Sequence, residues 1–267
     1  MLEVIKQQLA GVDTLEKKLN KTREYLQIIT LKILADKNYF ENMAFVGGTA
    51  LRVLFNLRRF SEDLDFSLVK KGGFDFTRLC SQLSREFTLY NVETEIAPKI
   101  ERNVQSAWLK FPGLLSRIGL SNLKSQKLSI KIEVDTNPPA GWRLQSSIVN
   151  KVYIFNIAHF DLASLFSTKL HACFYRNFTK GRDFYDFVWY ISRKTKPNFK
   201  LLNNAIRQTN ANALSVNERN FKKFLLLRLE KIDFRVVKKD VERFLEDKNE
   251  VNCLELKPIQ NTIEANY

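Results

Sequence analysis

The sequence predicts an α+β fold: a small mixed sheet flanked by helices, followed by a helical C-terminal domain. Three observations carry that expectation. Leu128-Ser-Ile-Lys-Ile-Glu-Val-Asp135 alternates apolar and polar residues without a break, as a strand with one buried face must. Upstream, segments of helical apolar spacing are interleaved with short strand-like runs. Beyond about residue 157 the alternation ceases and helical spacing continues to the end. The boundary placed there gives a sheet-bearing core with an N-terminal helix over 1–156 and a helical domain over 157–267. A chain of 267 residues has ample core for either one large domain or two modest ones.

Taken in order, Leu15, Leu19, Leu26, Ile29 and Ile33 fall near a helical repeat, with Lys17, Lys18, Lys21 and Glu24 outside it. This opening helix is suited to pack on a sheet that begins near Met43. Phe45-Val46 is a short apolar run, a buried strand ending at Gly47-Gly48. Thr49 to Phe55 reads as a short helix with Leu51, Leu54 and Phe55 on one face. Asp63 to Leu68 alternates again: Leu64, Phe66 and Leu68 point one way, Asp63, Asp65 and Ser67 the other. Lys71-Gly-Gly73 marks a turn, and Asp75 to Phe87 forms an amphipathic helix carrying Phe76, Leu79, Leu83 and Phe87. Residues 88–111 are strand-like; 112–127, with Pro112, Gly113 and Gly119, form an irregular connection or hairpin. After the 128–135 strand, Pro138-Pro139-Ala-Gly141 is a stop, and a further strand is expected over Lys151–Phe155. Asp161 then caps a helix through Phe166, Leu170 and Cys173, with later turns at Lys180-Gly181 and Lys196-Pro197.

Composition excludes several classes. At 45% hydrophobic and 12% aromatic the chain is globular and not disordered. No apolar run approaches a membrane span, and the start shows no secretory pattern. Cys80, Cys173 and Cys253 are scattered and odd in number, which argues against a disulfide framework and points to the cytoplasm. With His159 and His171 the sole histidines and no paired cysteines, zinc chemistry is disfavoured.

One stretch concentrates the chemistry. Gly47-Gly48-Thr49 lets the backbone turn sharply, approach a ligand closely and aim the first helical amides at an anion, usually a phosphate. After thirteen intervening residues, Asp63 and Asp65 lie side by side on one strand face. Adjacent carboxylates repel unless a cation sits between them, and magnesium takes one or two carboxylates plus substrate phosphates. Such a pairing is what metal-dependent nucleotidyl transfer needs. That chemistry usually uses a third acid; Glu133 and Asp135 both project from the polar face of the 128–135 strand, and periodicity does not choose between them.

These residues resemble a known family. Phe45-Val-Gly-Gly-Thr-Ala-Leu51 followed by Arg59-Phe-Ser-Glu-Asp-Leu-Asp-Phe66 is similar to the signature of AbiEii/AbiGii-type nucleotidyltransferase toxins, within the polymerase-β-like superfamily. Matching motifs continue at Lys169-Leu-His-Ala172 and Lys180-Gly-Arg-Asp-Phe-Tyr-Asp186, so the resemblance spans 45–186. It implies that 1–156 is a nucleotidyltransferase core and that Asp63, Asp65 and Glu133 hold two magnesium ions, with Asp135 in reserve. It further implies that Lys169 contacts the phosphates of a nucleoside triphosphate and that Asp183 supports activity, for example by orienting Lys169. Arg176, two helical turns from Lys169, joins the nucleotide-binding set with Gly47, Gly48, Thr49 and Ser61. Arg59 and Ser61 are expected to shape the loop before the acid strand, and Asp186 to cap or pair with Arg182. Thr49 stands where serine is common.

The net charge of +14 is unevenly spread. Lys99, Arg102, Lys110, Arg117, Lys124, Lys127 and Lys131 face Glu101 alone between 99 and 131. Residues 157–200 carry eight basic groups against Asp161, Asp183 and Asp186. A polyanion is the expected partner, and RNA or DNA fits better than a lone nucleotide. Trp108 and Phe111, inside the first basic segment, could stack on bases or pack in a core. The resemblance implies the tRNA 3′ end as acceptor and a cognate protein antitoxin. Transfer to a small molecule or a protein hydroxyl, or a non-catalytic RNA-binding module on the same fold, remain the competing readings.

Overall fold

The computed structural model describes residues 1–267. In chain order the elements are α1 (Leu2–Leu9), α2 (Leu15–Asp36), β1 (Met43–Val46), α3 (Gly47–Phe55), β2 (Asp63–Leu68), α4 (Phe76–Leu89), β3 (Glu95–Ile100), β4 (Val104–Phe111), α5 (Leu114–Arg117), β5 (Leu128–Asp135), β6 (Leu144–Asn150) and β7 (Ile154–Phe160). Six helices complete the chain: α6 (Leu162–Tyr175), α7 (Gly181–Ser192), α8 (Phe199–Thr209), α9 (Phe221–Leu229), α10 (Phe234–Val241) and α11 (Leu256–Asn266). No helix is long and apolar enough to cross a membrane. The contacts divide the chain into two units: residues 1–54, 60–138 and 146–159, and residues 55–59, 139–145 and 160–267.

The first unit is built on a seven-stranded mixed sheet of order β3-β4-β5-β2-β1-β7-β6. β2 runs antiparallel to β1 and parallel to β5, while β4 runs antiparallel to β3 and β5. One face is apolar. Leu64, Phe66, Ile130, Ile132 and Val134 are fully buried there with Leu26, Ile29 and Ile33 of α2 and Leu79, Leu83 and Phe87 of α4. Thr14 and Asp75 cap these helices by accepting from the amides of Lys17 and Arg78. Strict alternation along β5 leaves Ser129, Lys131, Glu133 and Asp135 on the other face, half-exposed. That polar face carries the site.

Four local expectations are corrected. α3 starts at Gly47 directly from the strand, and its buried residues are Gly48, Thr49, Ala50, Leu51 and Val53, with Leu54 and Phe55 only partly covered. The strand placed over 151–155 is instead two strands, β6 and β7, joined at 151–153. β6 was invisible because most of its side chains are exposed, including Leu144 and Ile148, so apolar residues do not track burial there. Arg176 is not on the helix with Lys169: α6 ends at Tyr175, and Arg176 has extended backbone at φ −85°, ψ 145°.

The second unit packs its helices around aromatic side chains. Phe166 stacks on Tyr190 with centroids 4.5 Å apart, and Phe174 meets Phe187 edge-on at 5.7 Å. Asp161 caps α6 by accepting from the Ser164 amide at 2.8 Å. The short segment 55–59, remote in sequence, belongs here, and Arg59 bridges to Leu245.

Candidate active site

Within the first unit the glycine turn and the acids adjoin. Gly47 has φ +78°, and a Cβ there would lie 2.3 Å from Asp65 Oδ2, so the carboxylate rests against the bare backbone. The Thr49 hydroxyl, fully buried, donates to the backbone carbonyl of Asp63 and ties the first turn of α3 to the acid strand. The amides of that turn have no intrahelical acceptors. Ser61 presents its carbonyl to Gln27 Nε2 at 3.1 Å, fixing the loop that enters β2.

The β2–β5 register gives the two candidate acids different neighbours. Asp65 lies beside Glu133 and Asp63 beside Lys131, whereas Asp135 is paired with Ser67. Asp135 also accepts from the Asn137 amide at 2.9 Å, and its burial raises its pKa. Glu133 is therefore the acid next to Asp65. Its Oε1 accepts from Lys131 Nζ at 2.8 Å. Burial would lower the Lys131 pKa, but Glu133, then Asp63 and Asp65, outweigh it and raise it. The acids concentrate negative potential on this face, and Lys131 partly answers it.

Their hard oxygen donors suit magnesium. No three Asp, Glu, His or Cys side chains converge into a ready metal cage, however. Asp63 and Asp65 supply such oxygens beside the glycine turn, while Glu133 is held by Lys131.

The residues expected from the second unit form a buried ion network. Lys169 Nζ donates to Asp183 Oδ1 at 2.6 Å and pairs with Asp186 Oδ2 at 2.8 Å. Arg176 reaches Asp183 Oδ2 at 2.7 Å. Arg59 clamps Asp186 through two bonds of 2.6 Å each, both partners almost wholly buried. Asp186 is thus held by Arg59 and Lys169, while the Arg182 guanidinium lies 4.4 Å from the Phe244 ring centroid. Burial alone would raise the Asp183 pKa; Lys169 and then Arg176 pull it down to about 2. Burial would lower those of Lys169 and Arg59, but Asp183 raises the first and Asp186 raises both. The sequence reading missed the Arg59–Asp186 fork. The two residues are 127 positions apart and no local pattern links them.

A mixed sheet that sets two alternating aspartates beside a strand-to-helix glycine turn defines a nucleotidyltransferase fold. The particular family follows: residues 30–262 match the nucleotidyl transferase AbiEii toxin family of type IV toxin–antitoxin systems, and the chain belongs to it. Among solved structures it is similar to JHP933 from Helicobacter pylori, at 19% identity and TM-score 0.55, covering 92% of this chain and 90% of that one. It is also similar to a candidate nucleotidyltransferase from H. pylori, at 18% identity and TM-score 0.52, covering 91% and 96%. These likenesses are of fold. No curated protein matches the sequence. The protein is a nucleotidyltransferase of this toxin family.

Proposed function

We propose that the enzyme is magnesium-dependent and transfers a nucleoside monophosphate from its triphosphate to an RNA acceptor, with release of pyrophosphate. The acceptor implied by the motif resemblance is the tRNA 3′ end. The observation that carries the reading is the adjacency of Gly47 to the Asp65 carboxylate, with Glu133 in register beside it. Asp63, Asp65 and Glu133 would hold the metal. When bound, magnesium neutralises phosphate charge and acidifies the acceptor hydroxyl.

The amides at Gly47, Gly48 and Thr49 would receive the phosphates of the triphosphate. The acceptor oxygen would attack the α-phosphorus in line as the bond to the bridging oxygen of the β-phosphate breaks. The Glu133 carboxylate, on the β5 side of Asp65, would take the hydroxyl proton at Oε1 once Lys131 has moved off. Asp183 would act through Lys169 and Arg176, the two cations it holds. The net charge of +14 supports a nucleic-acid acceptor, three free thiols suit a reducing cytoplasm, and the family implies a cognate antitoxin.

Incubating the protein with total RNA, magnesium and each labelled nucleoside triphosphate in turn tests this. Label should enter RNA, vanish with chelator or Asp63→Ala, fall at least tenfold in Glu133→Gln and change less than about threefold in Asp135→Asn. Label on protein or on a small molecule instead would overturn the RNA acceptor.

A further inference from the structure

The polar face of the sheet does not end at the acids. β5 is flanked by β4, whose register sets Trp108 beside Lys131 and Ser106 beside Glu133. Trp108 is thus two strands from Asp63 on the same face, roughly 10 Å away. Its indole is 49% exposed, whereas Phe111 on the same strand is fully buried. Lys131 Nζ lies 6.0 Å from its ring centroid, and the small Ala97 is its neighbour on β3. Lys110, two residues further along β4, lies on the same face and is exposed. Its cross-strand neighbour Glu95 is paired with Lys127, and Lys110 enters no ion pair within the chain. A half-exposed indole beside an uncompensated cation is what a single nucleic-acid strand requires: a stacking surface and a phosphate counter-charge.

The strand order assigns its side. β1 and the glycine turn lie on one flank of β2, and β5 and β4 on the other. In an in-line displacement the nucleophile and the leaving group stand on opposite sides of the phosphorus. With the triphosphate on the glycine flank, the acceptor enters from the Glu133–Trp108 flank.

We propose that Trp108 is the platform on which a base near the acceptor end of a single-stranded RNA stacks, with Lys110 neutralising a phosphate that follows. This rests on the nucleotidyl transfer to RNA argued above and names the contact that brings the acceptor in.

The test is fluorescence anisotropy of full-length protein with a short labelled single-stranded RNA, comparing wild type, Trp108→Ala and Trp108→Phe, beside calorimetric titration of each with triphosphate and magnesium. Trp108→Ala should weaken RNA binding about tenfold and Trp108→Phe by less than about threefold. Triphosphate affinity should stay within about twofold of wild type in both, a result that general damage to the fold would not give. Unchanged RNA affinity in Trp108→Ala, with wild type binding RNA, overturns the platform and leaves the acceptor reading standing. A loss confined to triphosphate assigns the indole to the nucleotide and also overturns it. If wild type binds triphosphate but no RNA, both readings fall together.

Discussion

Asp65 and Asp183 are both aspartates in a functional motif, yet the two units treat them in opposite ways. Asp65 stands half-exposed on the polar sheet face, against a glycine and beside a second acid in register. Asp183 is 8% exposed and bound by two cations. On the sheet face, water lowers the cost of keeping carboxylates charged and close together, so a ligand can be their counter-ion. In the helical unit three cations, Arg59, Lys169 and Arg176, answer two acids, Asp183 and Asp186. Buried charges of that kind must be paired or they destabilise the fold. The first arrangement leaves room for an external cation; the second is neutralised from within the fold.

The sharpest way to break this contrast is to neutralise one acid from each region. Asp65→Asn should lower nucleotidyl transfer by about 10³-fold or more, equivalent to roughly 4 kcal/mol of barrier, while unfolding free energy moves by less than about 0.5 kcal/mol. Equal losses of activity and stability would show that Asp65 is structural. Asp186→Ala should do the reverse in urea titrations. It strands the Arg59 guanidinium and removes one of the two carboxylates that hold Lys169 in a buried site, which costs about 3–5 kcal/mol. A change below about 1 kcal/mol would mean that the network is solvated and not buried as described.

The same physics explains which features the sequence disclosed. The α+β class, β2, β5 and the Asp161 cap were legible because half-buried elements must alternate or repeat and because caps are local. The glycine turn and its acids were legible for the same reason: Gly47 and Asp65 are required by backbone geometry and strand parity. β6 was not, since its exposed apolar side chains break the link between pattern and burial. Nor was the Arg59–Asp186 fork. A buried pair formed across 127 residues depends on tertiary packing, and Asp186 has Arg182 four positions away as a plausible but mistaken local partner. Glu133 could be separated from Asp135 only by strand register, which single-strand periodicity does not contain.

A subtler test uses pH on the buried network. The Asp183 carboxyl is lowered from 3.8 to about 2 in the fold. A folded pKa below the unfolded one means that the native state favours the ionised form. The stabilisation is therefore fully present above about pH 4 and is lost as pH falls through about 2. Roughly 2 kcal/mol should disappear over that window. Measuring unfolding free energy against pH for wild type and Asp183→Asn isolates this group, because the other carboxylates titrate in both. The difference between the two curves should shrink on acidification; a constant difference would show that Asp183 is not held ionised by Lys169 and Arg176.

The smallest expected effect on transfer falls at the glycine turn. Gly47→Ala places a methyl group where Asp65 Oδ2 now lies, 2.3 Å away, at a φ of +78° that L-residues adopt at a cost of about 1–2 kcal/mol. The carboxylate sits on a side chain and can rotate aside, so the fold should survive with about that loss of stability. Displacing the carboxylate would move an oxygen of the proposed metal site away from the glycine turn, and transfer should fall at least tenfold, more than the stability change alone would produce. The double variant Gly47→Ala with Asp65→Asn decides whether the two effects share one cause. If the methyl acts by expelling the carboxylate, it should add little to the activity already lost in Asp65→Asn, whereas independent effects would multiply. Multiplication would place the role of Gly47 in the amide turn itself and not in its contact with Asp65.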